Sequence, residues 1–593
     1  MSKGRVMKNF DAGEEELLRG FLFTNPGGDD GFVYPQELVV TEELAPLMSA
    51  YSRSHVPFQE RVLTYLDRHK DEQTRAMLPL IPQLMDITRN PDGTLRLTAK
   101  TAIFNRQWPQ RHGHDSIKEE VPLVGHSERI SDITGKRITG HPLNHPQVKS
   151  TRYLHFGRGD NVEDEDLRAL DQGGRFLEYQ DWMNQRYVDM TGRLRDVVFD
   201  HSDTARVVEF LRRPENVEAE VEAQMDEMKA VRDGYEPSEG DRDRARERVL
   251  KGLEDEGVRK AVGNFVLDSS RIYLTAATKT SLGFVADART LESILTGMIS
   301  SQRSEDVRRG RALWEQAQKV APVLLGEKSH VRVDAWRQKN ETELREFLQE
   351  RFAGVEPLEG KPRVRVWDPT TFKMYDDRFN AAMVAFPYLD LSVGQIADEI
   401  SAGDAVEILE RAHKNRGQYD LVHPAIAHGG LMSEFVMGYH GYRDLFRHRR
   451  GSRSVQLLTT RLGFEVPKIF ETFGMGDEVR ADMEKAAEIY ELAREQDPHV
   501  AEKVVPFGAL CRSLHSWQPD QMAYVARLRT NAARGNISYV NVARDMIGQV
   551  ADLMPETARY FRADTQEYPA HLWKRGYEWY DSERRGRDES KDS

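Results

Sequence analysis

Cysteine is nearly absent: the 593 residues hold one, Cys511. No intramolecular disulfide and no cysteine-rich metal site can form. Its neighbours Gly508-Ala509-Leu510 and Arg512 suit a small buried side chain, so no thiolate nucleophile is expected there. Long apolar runs are missing too, which argues against a bilayer-spanning helix. Met1 to Asp30 lacks the apolar stretch of a signal peptide, and the expected location is the cytoplasm. Positive charge is in deficit. A net charge of −13 argues against a protein that tracks a nucleic-acid backbone along a basic face.

Against that acidic background one stretch stands out, Arg447-His448-Arg449-Arg450-Gly451-Ser452-Arg453-Ser454. Guanidinium forks suit phosphate, Gly451 lets backbone approach closely, and the two serines add neutral donors. The residue types favour a phosphate monoester or diphosphate. A solvated basic turn or a loose nucleic-acid patch is the plainer alternative, and it would betray itself by steeply salt-dependent binding. At 593 residues, with 39% hydrophobic and 31% charged residues, the chain should form two or more helix-rich domains.

Arg447-His448-Arg449 followed by Ser452 and Ser454 resembles the hallmark of the flavin-dependent thymidylate synthases, Arg-His-Arg, a spacer and Ser-x-Arg-Tyr. The Ser-x-Arg-Tyr part is not repeated there: Leu457 stands at its spacing, and Thr459-Thr460-Arg461-Leu462 comes two residues later. That half is found earlier instead, as Ser150-Thr151-Arg152-Tyr153, where the Arg-His-Arg place reads Gly140-His141-Pro142. The chain therefore looks like a tandem duplication in which each copy keeps a different half of the motif. Gly113-His114-Asp115-Ser116-Ile117-Lys118-Glu119-Glu120 resembles the family's flavin-adjacent Gly-His-x-Ser-x-x-Glu-His, and Ala427-His428-Gly429-Gly430 with Glu434 is its poor counterpart in the second copy. Tyr51 to Arg61 resembles the lead-in to a first long helix.

The expected division is an extension over 1–38, a first domain over 39–330, a connection over 331–372, a second domain over 373–565 and a polar tail over 566–593. Within the first domain, about 203–262 is so rich in Glu, Asp, Arg and Lys that it reads as an exposed helical hairpin. Asp482 to Gln496 reads as an amphipathic packing helix, with Met483, Ala487, Ile489, Tyr490 and Leu492 apolar. By ungapped placement on the family, Arg529 stands at the nucleotide arginine and Met298 at its first-copy counterpart. Gln518 stands where a flavin-contacting asparagine is common.

The resemblance implies an α/β (α+β) fold, each copy a small antiparallel sheet packed with long helices. It implies reductive methylation of dUMP, with methylenetetrahydrofolate as carbon donor, FAD as hydride carrier and NADPH as reductant, and no metal. It assigns nucleotide anchoring to Arg152, Arg447 and Arg529 with Ser150 as a phosphate donor, and flavin or folate contact to His448, Arg449, Ser452, Gln518, Ser116 and Glu119. Since the family assembles four identical chains, two tandem chains should pair as a homodimer. Two alternatives stay open: a divergent relative that binds flavin or nucleotide with altered or lost catalysis, and a nucleic-acid binder using the arginine loop.

Overall fold

In the computed structural model the strands Asp30–Val33 (β1), Pro122–Ser131 (β2), His145–Val148 (β3) and Lys279–Asp287 (β4) form an antiparallel sheet in the order β1-β2-β4-β3. Both faces of β2 are covered over most of its length, which is why it sits centrally. Described here are most of residues 99–564 and short stretches before them; left out are 1–12, 34–54, 64–89, 108–114, 357–362, 368–376, 415–422, 426–430, 532–535, 565–593 and a few shorter gaps.

The longer helices of this half follow in order: Asp132–Thr139 (α1), Arg175–Phe199 (α2), Ser202–Leu211 (α3), Pro214–Val231 (α4), Glu239–Gly252 (α5), Asp255–Ser270 (α6), Ala288–Ile299 (α7) and Ser304–Val320 (α8). Ser131 caps α1 by accepting the amide of Thr134 at 3.2 Å, so the turn from β2 into the helix is fixed locally.

The second half repeats the plan. Ala335–Arg351 (α9) precedes Arg363–Trp367 (β5), Asp377–Ala385 (α10) and Ala402–His413 (α11). Then come Leu431–Gly438 (β6), Tyr439–Leu445 (α12), Ser452–Val455 (β7), Gly476–Arg494 (α13), Leu510–Trp517 (β8), Pro519–Arg529 (α14) and Ile537–Leu553 (α15). Its sheet runs β5-β6-β8-β7, the same order with the same antiparallel pairings. The mixed α/β class and the small antiparallel sheets with many helices agree with the expectation from sequence.

The halves are joined by backbone as well as by side chains. Ala276 N donates to Val505 O at 3.0 Å, and Phe507 N and Gly508 N donate to Leu274 O and Ile272 O at 2.6 and 2.9 Å. Each half thus contributes the short segment that leads from a 3-10 turn, Arg271–Tyr273 or Glu502–Val504, into its β4 or β8. One hydrophobic cluster runs through both, with Tyr187, Met190, Val266 and Tyr273 from the first half beside Tyr439, Phe470, Met483 and Phe507 from the second.

Several boundaries differ from the sequence reading. The extension 1–38 contains β1, and the connection 331–372 contains α9 and β5, so each supplies an edge strand. Their alternating charge hid a one-sided apolar pattern: Leu344 and Leu348 of α9 and Val364 and Val366 of β5 are buried. The charged insertion is a helical hairpin of α4 and α5, closed over Val221, Met225 and Ala245, with Arg246 paired to Glu218 at 2.5 Å. Its last helix, α6, is a core element instead, since Val258, Val262 and Val266 face α2 at helical spacing. Of the apolar positions read in α13, Met483 and Tyr490 are buried, but Leu492 is exposed.

Candidate functional site

The turn from β6 into α12 and on to β7 carries the arginine-rich stretch, and counting back from β3 and β7 puts Gly140, His141 and Pro142 at the places of Arg447, His448 and Arg449. The same register sets Ser150 against Leu457 and Arg152 against Thr459. The two halves therefore carry different residues at matching places.

Those parts meet around one carboxylate. Asp444, in the last turn of α12, is buried and accepts from Arg271 Nη2 at 2.9 Å, while Arg447 Nε lies 3.8 Å away. Burial acts to raise the Asp444 pKa, but Arg271, Arg447, Arg152 and Arg529 together hold it well below the ordinary carboxylate value. Arg152 and Arg271 in turn share Asp268, at 3.1 and 3.3 Å. Four guanidinium groups therefore face two carboxylates. The surplus of two positive charges matches a phosphate monoester dianion.

Arg447 is exposed at the mouth of this cluster. Asp444 favours its charge, yet desolvation and the neighbouring Arg529, Arg443 and Arg152 outweigh that and lower its pKa. A cation so crowded by cations gains from an added anion. Arg529, at the end of α14, is half-buried and lies over the ring of Tyr539, which burial and Asp444 push above its ordinary pKa. Ser150 is buried, and its Oγ accepts the amide of Arg152 at 3.2 Å, so the hydroxyl hydrogen is left to donate.

His448 takes a different part from the one the resemblance implies. Its ring is 5% exposed, and Nε2 accepts from Arg529 Nε at 2.8 Å. Burial and then Arg529 lower its pKa to about 3, so it is neutral with the proton on Nδ1. The Gln521 amide nitrogen lies 3.3 Å from Nδ1. His448 therefore aims Arg529 at the cluster and does not reach out to a cofactor.

The other expected cofactor residues divide. Arg449 and Ser452 are half-buried on the same turn, and Gln518 is exposed at the start of α14, where it makes no side-chain cap bond. Tyr524, 46% exposed, stands edge-on to His448 at 5.7 Å. Arg527 lies 5.4 Å from the centre of the Tyr524 ring. Ser116 and Glu119 do not join this set. They lie exposed on the 3-10 turn Asp115–Glu120, packed against α7 of the first half, where Glu119 pairs with Arg289. The neighbouring Gly113 and His114, the second-copy Ala427 to Gly430 and Tyr153 lie outside the described residues.

Other expectations change as well. Gly451, at φ +108°, is required because a Cβ there would stand 2.2 Å from Ser516 O; the close approach serves β8, not a ligand. Arg461 is a surface residue that pairs with Asp390 at 3.1 Å. Glu434 is buried in β6 and accepts the Val393 amide at 2.8 Å, with Arg512 3.7 Å off. Cys511 is buried in β8, and burial pushes its thiol up, as a structural cysteine requires.

Sequence reasoning missed Arg271, Asp268 and Asp444, because each looks like an ordinary helix-end charge until the two halves close on one another. The related place in the first half shows the reverse polarity. Arg137 stands for Asp444, Glu502 for Arg271, His499 for Asp268, and Gly140, Met298 and Thr459 for Arg447, Arg529 and Arg152. Arg303 fills it, pairing with Glu502 and, at 3.2 Å, with Asp306, which also lies 3.4 Å from Arg137. That set is self-neutralised and closed.

Comparisons agree on scale and offer no activity. The chain is similar to a UPF0159 protein of Chlamydia muridarum, 26% identical over 472 residues, covering 77% of this chain and 80% of that protein. A UPF0159 protein of Chlamydia pneumoniae is 24% identical over 485 residues (78% and 81%), and one of Thermoplasma acidophilum 23% over 477 (79% and 89%). No family model matches the chain. Among the described residues, no helix is long and apolar enough to cross a membrane.

Proposed function

We propose that this chain is a flavin-dependent thymidylate synthase-like enzyme that methylates C5 of dUMP reductively, with methylenetetrahydrofolate, FAD and NADPH. The observation that carries the reading is the convergence of Arg152 from one half with Arg447 and Arg529 from the other around Asp444. It is an anion site split between the copies, as the divided motif requires. In this reading Arg152, Arg447 and Arg529 hold the nucleotide phosphate and draw charge toward the pyrimidine, with Ser150 donating to a phosphate oxygen. Arg271 and Asp268 keep the guanidinium groups apart and aimed, and His448 fixes Arg529. Arg449, Ser452 and Gln518 would hold the flavin, with Tyr524 offering a ring face; when bound, FAD supplies the redox step. Two chains would pair as a homodimer in the cytoplasm.

The test is the visible absorption spectrum of freshly purified protein, repeated with dUMP. A flavin band shifted by dUMP supports the reading and leads to turnover with methylenetetrahydrofolate and NADPH. A protein that stays colourless after added FAD rules it out. A second reading, a relative that binds nucleotide but has changed or lost the chemistry, is favoured by one observation: Ser116 and Glu119 stand with α7, away from the arginine cluster. Tight dUMP binding with no flavin uptake would select it.

A further inference from the structure

Lys136, on α1 of the first half, is a partly buried cation with no carboxylate of its own among the described residues. Its Nζ lies 4.8 Å from the centre of the Phe446 ring, on the turn that leads to Arg447. The carboxylates nearby are already taken. Asp132, on its own helix, accepts from Arg443 at 2.7 and 3.0 Å and from the Tyr439 hydroxyl at 2.9 Å, and Asp444 accepts from Arg271. From the other elements packed on α1, Glu305 and Asp306 of α8 are engaged by Lys503, Ser131, Thr134 and Arg303. The other charges acting on Lys136 are positive, Arg443 and Arg447, and Arg453 lies 3.8 Å over the same Phe446 ring.

We propose that Lys136 is a further anion-binding residue of the arginine cluster, one that takes its counter-charge from a bound phosphate monoester dianion and gains a proton as that ligand binds. The inference rests on the nucleotide reading above and deepens it. Desolvation first, and then Arg443 and Arg447 against Asp132 and Asp444, lower the Lys136 pKa to about 7, so the free protein carries much of it as neutral amine above neutrality. A dianion placed among the same guanidinium groups reverses the balance. The ammonium form then wins, and the proton comes from solvent.

Calorimetric titration of the full chain with dUMP at pH 8, in buffers of different ionisation enthalpy, counts the protons exchanged. Uptake approaching one proton per nucleotide is expected, and inorganic phosphate should show the same sign. Lys136→Met should abolish the uptake and weaken binding about tenfold. Lys136→Arg, which keeps a cation at every pH, should retain binding yet take up no proton. Unchanged uptake in Lys136→Met overturns the assignment while the anion site stands. Failure of the wild-type protein to bind either anion overturns the nucleotide reading and this inference together.

Discussion

A guanidinium group is useful at a ligand site in proportion to what it leaves unsatisfied. Arg453 is spent on the Phe446 and Gly140 carbonyls, both at 2.7 Å, whereas among the described residues Arg447 makes only a long contact to Asp444. Arg447→Ala and Arg529→Ala should each lose charge-assisted bonds worth roughly 1.5–3 kcal/mol, or about ten- to a hundredfold in dUMP affinity by equilibrium dialysis. Arg453→Ala should change folding more than binding. A second residue-scale prediction concerns the buried imidazoles. Burial, the main cause in each, lowers His126, His448 and His499 to about 3, so the unfolded chain binds protons near pH 6.5 that the folded chain refuses. These groups favour folding above about pH 6.5, and that contribution is lost as pH falls from there toward 3. Denaturant midpoints measured between pH 7 and 5 should fall, and His448→Gln should flatten the slope.

Among elements, the ends of α6, α12 and α14 matter most, because they bring Asp268, Asp444 and Arg529 together. Arg271 and Asp444 are each 2% exposed at the side chain, so removing Arg271 leaves buried Asp444 with the longer Arg447 contact. Arg271→Met should cost about 3–5 kcal/mol, while the paired change Arg271→Met with Asp444→Leu should recover much of it; urea unfolding would measure both. The same elements mark what the sequence disclosed. The turn after α12 was legible because four arginines on an acidic chain have few innocent explanations. Ser150 and Arg152 were legible through the divided motif. Arg271, Asp268 and Lys136 were not, since their role arises from packing between segments far apart in the chain. Nor was the polarity of β1, α9 and β5, where charged residues on one face masked the buried face until the sheets assembled.

Across the whole molecule, one cluster of apolar side chains is shared by the two halves, beside a cluster that belongs to each half alone. Residues 331–593 produced alone should expose Tyr439, Met483 and Phe507 and bind a hydrophobic dye; a fragment that binds no dye would refute the shared-core account. Ligand stoichiometry tests the asymmetry. The arginine cluster should take one dUMP per chain and the Arg303-filled place none, so a saturation value of two would contradict the self-neutralised arrangement.

In an assembly of identical chains, every substitution is written at each symmetry-related place, so a change that seals one pocket seals all of them. The backbone pairing of Ile272–Ala276 with Val505–Gly508 makes the axis of this molecule an internal one. Each side of that axis is encoded separately. Arg137 could therefore arise opposite Asp444, and Glu502 opposite Arg271, without either change being imposed on the partner. Each side is thus free to differ, and here one carries the arginine cluster while the other carries the self-neutralised set.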